Sequence, residues 1–226
     1  MNWQVIVDSL PALAGGALLT VELVGLSVVL GLAIAVPTAL ARVARPLWIK
    51  ALPFAFIFFF RGTPLLVQIF LVYYGLSQFE LIRESFAWPV LREAYWCAII
   101  AFTLNTSAYT AEILRGAIQS VPAGEIEAAK AVGMGRWLRL RRVVLPRAFR
   151  MALPAYSNEV ILMLKGSALA STITLLDLTG VARTIIARTY MPIELFLAAG
   201  VFYLLITAVI LQGFRLIERR LHGVAD

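Results

Sequence analysis

Long apolar stretches alternate with short basic clusters along this chain, and the apolar stretches are long enough to cross a lipid bilayer. A membrane-spanning helix needs about 20 mostly apolar residues. The segments that meet this requirement carry at most two charged residues each: Leu13–Leu40, Ala51–Leu76, Ala94–Leu114, Met151–Leu176 and Leu195–Phe214. The pattern predicts an all-α membrane protein with five transmembrane helices, which we call spans 1 to 5.

The basic residues are distributed unevenly among the segments that connect the spans. Three lie between spans 1 and 2, eight between spans 3 and 4, and three after span 5, which is 14 of the 20 Lys and Arg residues. Cytoplasmic loops of membrane proteins carry an excess of Lys and Arg. The distribution therefore predicts an N-terminus outside the cell and a cytoplasmic C-terminus, which requires an odd number of spans and agrees with five.

Composition supports a membrane protein and argues against a nucleic-acid-binding protein. Hydrophobic residues make up 61% of the 226 residues and charged residues 15%, whereas soluble domains carry about 25% charged residues. The net charge is +7, but the basic residues cluster between apolar runs, as membrane topology requires, and form no nucleic-acid footprint. We expect residues 1–226 to form a single transmembrane domain in contact with lipid.

The segment between spans 3 and 4, residues 120–146, contains signals for two cytoplasmic helices. Pro122 suits a first helical turn, Glu125 complements the positive helix start, and Gly133 suits a left-handed C-cap. These signals predict a helix of about three turns. A second, basic helix is predicted over Arg136–Val144, and Leu145-Pro146 is predicted to break the chain before span 4.

Small side chains at Ala128, Ala129 and Ala131 leave the first of these helices thinly covered. Another protein surface could approach its backbone closely, and a solvated loop helix explains the same residues equally well. A resemblance in residue spacing to a known family favours contact with another protein. Glu127-Ala128-Ala129, three residues, Gly133, nine residues, Val143, one residue and Leu145-Pro146 resemble the "EAA" signature of ABC importer permeases, although that family often has Ile in place of Val143.

In that family, the helix with this signature seats in a groove of the cytoplasmic ATPase subunit. The resemblance therefore implies coupling to an ATPase through six residues: Glu127, Ala128, Ala129, Gly133, Leu145 and Pro146. It also implies a complex of two permease subunits, identical or different, with two ATPase subunits and a soluble substrate-binding protein. The chain has no G-x-x-x-x-G-K-[ST] run, so ATP is expected to be bound and hydrolysed by the partner.

Further stretches resemble the polar amino-acid uptake branch of these permeases: Phe60–Leu65, Asn105–Ile113, Ala117–Pro122 and Leu153–Ile161. The last is most similar to permeases for histidine, arginine, lysine, ornithine and opines. The resemblance extends from about Leu13 to Arg220. It implies a permease of the bacterial inner membrane that forms the translocation pathway for amino acids delivered by a periplasmic binding protein.

Two other function classes are less compatible with the sequence. An ATP-independent secondary transporter or channel would explain the spans, but it has no use for a cytoplasmic Glu-Ala-Ala helix. An enzyme would need reactive side chains near one another, whereas His222 is the only histidine and Cys97 the only cysteine. No pair for nucleophilic catalysis and no metal-ligand spacing results, so we expect a non-catalytic subunit without metal or cofactor.

One carboxylate lies deep in a predicted span. Glu159 follows Met151 by eight residues, which places it about 12 Å into span 4. Ionisable residues inside a bilayer are costly and are functional candidates by default. Glu159 could be the counter-charge for a cationic side chain in transit, or the structural partner of Arg61 or Lys165. The glutamine-transporting branch tends to have an uncharged residue here, so the resemblance favours a cationic substrate.

A polar stripe in span 3 gives further candidates, since Asn105 and Tyr109 are four residues apart and share a helical face with Glu112. The stripe could line the pathway or join neighbouring helices. Glu22 in span 1 could face the interior of the assembly or lie near the outer edge of the membrane.

Two short motifs look alike: Arg61-Gly62-Thr63-Pro64 and Lys165-Gly166-Ser167-Ala168. We hypothesise that both loosen their helices and free backbone groups to line a midplane site. This hypothesis adds Arg61, Thr63, Lys165 and Ser167 to the candidate pathway residues.

Overall fold

The backbone is helical almost throughout and has no strand within residues 2–44 and 46–222, the part that the computed structural model describes. The helices are α1 (Trp3–Val43), α2 (Leu47–Gly62), α3 (Leu65–Phe70), α4 (Glu80–Arg83), α5 (Trp88–Leu91), α6 (Ala94–Gln119), α7 (Ala123–Ala131), α8 (Arg136–Arg139), α9 (Leu145–Gly166), α10 (Leu178–Thr189) and α11 (Pro192–His222). Wider π-helical turns extend α3 over Leu71–Gly75 and join α8 to α9 over Leu140–Val144. Tighter 3-10 turns follow at Leu76–Gln78 and Ser167–Ile173.

Three of these helices, α1, α6 and α11, are long and apolar enough to cross a membrane singly. Two further pairs of helices, each bent where its members meet, satisfy the same requirements of length and composition when each pair is taken as one span. Leu47–Gly62 and Leu65–Gln78 meet at 108°, and Arg136–Ile173 and Leu178–Thr189 meet at 49°. The described residues therefore contain three to five candidate spans, and five if each bent pair crosses once.

The predicted second span, Ala51–Leu76, is not one straight helix. It divides at Thr63, whose φ of −114° and ψ of 146° are extended rather than helical. The cause is Pro64, because a proline ring clashes with a helical conformation of the residue before it and also lacks an N–H. The break places α2 and α3 at a steep angle next to α6.

The predicted chain break at Leu145-Pro146 is wrong. Helix α8 runs through the π-helical turn into α9, and Pro146 stands in the first turn of α9. The wider turn bonds the Leu145 N–H to the Leu140 carbonyl, five residues back. Such a turn accommodates a proline that has no N–H and would clash in a regular helix. One rod, Arg136–Ile173, therefore connects the segment predicted to be cytoplasmic with span 4.

The predicted left-handed cap at Gly133 is confirmed, with φ of +78°. The Met134 N–H bonds to the Ala129 carbonyl at 3.0 Å, and the Gly133 N–H bonds to the Lys130 carbonyl at 2.9 Å. These two bonds are those of a Schellman motif, which ends the helix and supplies donors to two of its last carbonyls. Helix α7 has nine residues and is thus somewhat shorter than predicted.

Helix α6 occupies the centre of the fold, packed against α1, α2, α3 and α9. Its contact with α1 is very close: a β-carbon added to Gly31 would stand 2.5 Å from Thr106 Cγ2. Small residues permit such approach in membrane proteins, where helices associate through packing rather than through exclusion of water. This packing fixes the position of α6 relative to the broken helix and α9.

Candidate functional site

The break in span 2 leaves backbone carbonyls without their helical partners, and polar side chains replace those partners. The Phe60 carbonyl would accept from residue 64, but Pro64 has no N–H. Gln68 Nε2 donates to it instead, at 2.8 Å, and also reaches Thr63 Oγ1 at 2.8 Å. Thr63 Oγ1 in turn donates to the Phe59 carbonyl at 2.8 Å. The Phe59 and Phe60 carbonyls therefore have hydrogen-bond donors within the protein, as the interior of a membrane requires.

A buried amide pair ties this break to the central helix. Asn105 Nδ2 donates to Gln68 Oε1 at 2.9 Å and lies 3.4 Å from the Phe60 carbonyl oxygen. Gln68 is 2% exposed and Asn105 is 7% exposed. Asn105 therefore joins two helices, which is one of the two roles considered for the polar stripe.

A cavity of about 260 Å³ lies beside the break, where three elements meet. The broken helix, α6 and α9 contribute its walls: Thr63, Pro64, Leu65, Asn105, Tyr109, Glu159, Leu162 and Met163. Four of the seven predicted pathway residues, Thr63, Asn105, Tyr109 and Glu159, thus line one cavity. Asn105 both joins helices and reaches this wall.

Glu159 is 5% exposed, and its Oε1 accepts a hydrogen bond from Thr106 Oγ1 at 3.1 Å. The alternative interpretation, a structural ion pair with Arg61 or Lys165, is not supported: none of the ion pairs within 4.0 Å among the described residues includes Glu159. Arg61 places its guanidinium carbon 5.3 Å from the centre of the Tyr109 ring, a cation–π contact. The carboxylate thus lines the cavity without an ion pair, and the charge of Arg61 acts on it only from a longer distance.

The other carboxylates considered within the spans have strong partners. Arg115 donates to both oxygens of Glu112, with Nε at 2.9 Å from Oε2. Glu22 accepts a hydrogen bond from the Tyr95 hydroxyl. Glu159 therefore differs from Glu112 and Glu22 in two ways. It has only a hydroxyl partner, and it is the only one of the three that lines the cavity.

The second motif, Lys165–Ala168, does not break the chain as the first one does. Helix α9 ends at Gly166 and tightens into a 3-10 helix, and the bend of 49° comes only after Ile173. Ser167 is buried and donates to the Leu164 carbonyl at 2.7 Å, while Lys165 is exposed. Neither lines the cavity, and their pathway role stays a prediction. The second motif does approach the residue that follows the first one, because a β-carbon on Gly166 would stand 3.0 Å from Leu65 Cδ2.

The predicted coupling residues form an exposed surface on α7 and its cap. Glu127, Ala128 and Gly133 are exposed, whereas Ala129 is buried. Leu145 is half-buried and Pro146 exposed at the start of α9. A salt bridge from Glu125 Oε1 to Arg147 Nε, 3.3 Å long, fastens α7 to α9.

The described residues include no group of three or more His, Cys, Asp or Glu side chains that could hold a metal ion.

Comparison with known proteins identifies the family to which this arrangement belongs. Residues 10–223 match the family described as the binding-protein-dependent transport system inner membrane component. The chain belongs to this family. It is a permease subunit, as the resemblance implied.

Several curated permeases are similar to this permease over most of their length. An octopine transport system permease protein of Rhizobium radiobacter is 53% identical over 216 residues, covering 96% of this chain and 86% of that protein. A nopaline transport system permease protein of Agrobacterium fabrum is 47% identical, covering 96% and 91%. A histidine/lysine/arginine/ornithine transport system permease protein of Escherichia coli K12 is 46% identical, covering 91% and 87%.

Solved structures agree with the fold. An amino acid ABC transporter crystallised with histidines has a chain that matches this permease with a TM-score of 0.86 and 34% identity, covering 97% of this chain and 99% of that one. A chain of the inward-facing MetNI methionine ABC transporter matches with a TM-score of 0.79 at 19% identity, which shows the fold alone.

Two site residues were missed from the sequence. Gln68 carries the hydrogen bonds that stabilise the break, and Thr106 holds Glu159. A glutamine four residues after Pro64 within an apolar run was the available signal for the first. Thr106 lies beside Asn105, but only the packing of α6 against α9 shows which residue its hydroxyl meets.

Proposed function

We propose that this permease forms the translocation pathway of an ATP-driven importer for basic amino acids or opines, and that Glu159 binds the cationic side chain in transit. The observation that carries this proposal is the carboxylate itself: 5% exposed, on a cavity wall, with a hydroxyl partner and no basic partner within 4.0 Å. A buried charge without an opposite charge is costly. An ammonium or guanidinium lowers that cost, whereas a neutral side chain does not.

The rest of the cavity supports an amino-acid ligand. Asn105 and Thr63 supply polar atoms at its wall, and Tyr109 supplies an aromatic face. Arg61 rests on Tyr109 and would face the carboxylate end of a substrate whose cationic end meets Glu159. The relatives named for octopine, for nopaline, and for histidine, lysine, arginine and ornithine support this substrate class.

The proposed assembly follows the family. The whole chain acts as one membrane domain in the bacterial inner membrane, crossing it five times with the N-terminus outside and α7 in the cytoplasm. It pairs with a second permease subunit, the same or a homologous chain, and with two ATPase subunits that bind ATP. A periplasmic binding protein delivers the amino acid.

The proposed mechanism is alternating access, driven from the α7 surface. ATP closes the two ATPase subunits, and their movement displaces α7 and its cap at Gly133. The Glu125–Arg147 salt bridge joins α7 to the rod Arg136–Ile173, which carries Glu159. Displacement of α7 is thereby transmitted to the cavity wall. ATP shifts the equilibrium only as far as it binds the two states differently.

Uptake by the reconstituted importer tests this proposal. Proteoliposomes containing the permease pair, the ATPase and the binding protein would receive labelled arginine, octopine or glutamine, with ATP or a non-hydrolysable analogue inside. We expect ATP-dependent uptake of arginine or octopine to exceed that of glutamine by about tenfold, equivalent to about 1.4 kcal/mol. Uptake that is independent of ATP, or that prefers glutamine, would refute the proposal.

A further inference from the structure

A second cavity, of about 430 Å³, lies between α10 and the segment that precedes it. Arg183 and Arg188 of α10 form one side, and residues from Ser171 to Leu176 form the other. Under the proposed orientation this cavity is at the outer surface, about 20 Å along the chain's helical path from Glu159. It is therefore separate from the transport cavity.

Neither of the two arginines forms an ion pair with an acidic side chain among the described residues. Among the described residues, no carboxylate oxygen lies within 4.0 Å of either guanidinium, whereas the outer Arg92 pairs with Glu93 at 3.5 Å. Asp177, at the start of α10, is fully buried and accepts from the backbone N–H groups of Thr179 at 3.2 Å and Gly180 at 3.1 Å. That carboxylate caps the helix and acts on Arg183 only as a nearby charge, without an ion pair.

The positive charge at this position is unusual for the side of the membrane it occupies. Arginine is depleted from outer segments close to the membrane. Two arginines without an ion pair, both lining one pocket and five residues apart on the same helix, indicate an anion that balances them. Arg183 is already oriented, because its Nη1 donates to Ser171 Oγ at 3.3 Å and leaves its other N–H groups available.

The remainder of the wall determines which anion fits. Leu175, Leu176 and Ala187 line the same cavity, and Leu176 is 57% exposed. Tyr190 follows α10 and is 87% exposed, as an aromatic residue at a membrane–water boundary commonly is. A pocket that is basic on one side and apolar on the other suits an amphiphile better than a small carboxylate.

We propose that this cavity binds the phosphate of an anionic phospholipid in the outer leaflet, with the acyl chains beside the leucines. Arginine is well matched to this ligand, since its planar fork bonds two phosphate oxygens together. The bound lipid would hold α10 against the end of the Ser167–Ile173 helix, at the bend of the rod that carries Glu159. This inference uses the proposed orientation but does not depend on the transported substrate.

Counting retained lipids tests the inference directly. The whole importer would be released from nanodiscs of phosphatidylglycerol and phosphatidylethanolamine and weighed by native mass spectrometry. Arg183→Gln/Arg188→Gln should lose about one phosphatidylglycerol per permease chain. Arg83→Gln/Arg92→Gln removes as much outer charge away from the cavity and should lose none, and Arg183→Lys/Arg188→Lys should retain part of the binding.

Each remaining outcome overturns the proposal. Equal retention by the wild type and the Arg183→Gln/Arg188→Gln variant would show that the arginines bind no lipid. Loss in both glutamine variants would reduce the effect to general surface charge. Displacement of the lipid signal by inorganic phosphate alone, with no preference for phosphatidylglycerol over free phosphate, would identify a free-anion site. None of these results depends on uptake, so failure of the proposed substrate and failure of the lipid site are distinguishable.

Discussion

The proposed transport cavity, beside the break in span 2, and the proposed coupling surface on α7 are built in opposite ways. The cavity depends on contacts between distant parts of the chain: Asn105 and Gln68 are 37 residues apart, and Thr106 and Glu159 are 53 apart. The coupling surface is shaped within a few residues, as the bond from Met134 to Ala129 illustrates. The former is buried and the latter exposed.

Because of this difference, substitutions in the two regions should impair transport for different reasons. Removing a buried polar partner in the cavity leaves other polar groups unsatisfied, which lowers stability as well as transport. Altering the exposed α7 surface should leave the fold intact and act only at the proposed docking surface for the ATPase. Matched pairs of variants separate these effects.

Gly133→Asp should have the largest effect on coupling. A β-carbon at Gly133 meets no atom within 4 Å, so the chain itself has room for a side chain. The new charge would stand on the proposed docking turn, and we expect uptake to fall by about tenfold or more, equivalent to about 1.4 kcal/mol of lost coupling. ATP hydrolysis and uptake measured on the same proteoliposomes would show the two activities separating.

Gly133→Asn is the control for this variant. Asparagine has nearly the same size and tolerates the left-handed conformation that the φ of +78° requires, but it adds no charge. It should retain most uptake. Normal uptake by Gly133→Asp would refute the docking role, and equal loss in both variants would attribute the effect to backbone strain.

Gln68→Leu should have the next largest effect, and it should act through stability. The substitution leaves the Phe60 carbonyl and the Asn105 amide with only their 3.4 Å contact to each other, at a cost of about 1–3 kcal/mol. The apparent melting temperature of the purified complex should fall together with uptake.

Gln78→Leu provides the comparison for Gln68→Leu. Gln78 makes only a 3.4 Å contact with the Tyr74 carbonyl near the end of the same segment, so its replacement should change little. Equal melting temperatures for Gln68→Leu and the wild type would contradict the bridging role of Gln68.

Glu125→Gln should have the smallest effect. The salt bridge from Glu125 to Arg147 is 3.3 Å long and partly exposed, and pairs of this kind contribute about 0–1 kcal/mol. We expect uptake to fall by less than about fivefold, the equivalent of 1 kcal/mol. Glu125→Arg/Arg147→Glu should recover part of the loss, and failure of the exchange would remove this contact from the transmission path.

Structural features that depend on neighbouring residues could be predicted from the sequence, whereas features that depend on contacts between distant residues could not. The cap at Gly133 was predictable because a left-handed turn after a helix has few solutions. The break at Pro64 was foreseen as a loosening, but its angle of 108° depends on packing against α6. Pro146 was misjudged because a π-helical turn absorbs it. The depth of Glu159 followed from its position, whereas its lack of a basic partner required the structure.

The central claim is that Glu159 binds the cationic end of the substrate, and uptake of arginine by Glu159→Gln tests it most directly. Glu22→Gln is the matched control, because Glu22 is also in a spanning helix but bonds to Tyr95 away from the cavity. Assembly of each variant with the ATPase would be verified first, so that loss of uptake is not loss of the complex.

We predict that Glu159→Gln loses most ATP-dependent arginine uptake, by about tenfold or more, while Glu22→Gln keeps it. Binding-protein-stimulated ATP hydrolysis should persist in the assembled Glu159→Gln importer. Arginine uptake at the wild-type rate by Glu159→Gln would contradict the account and leave Glu159 as a structural residue held by Thr106.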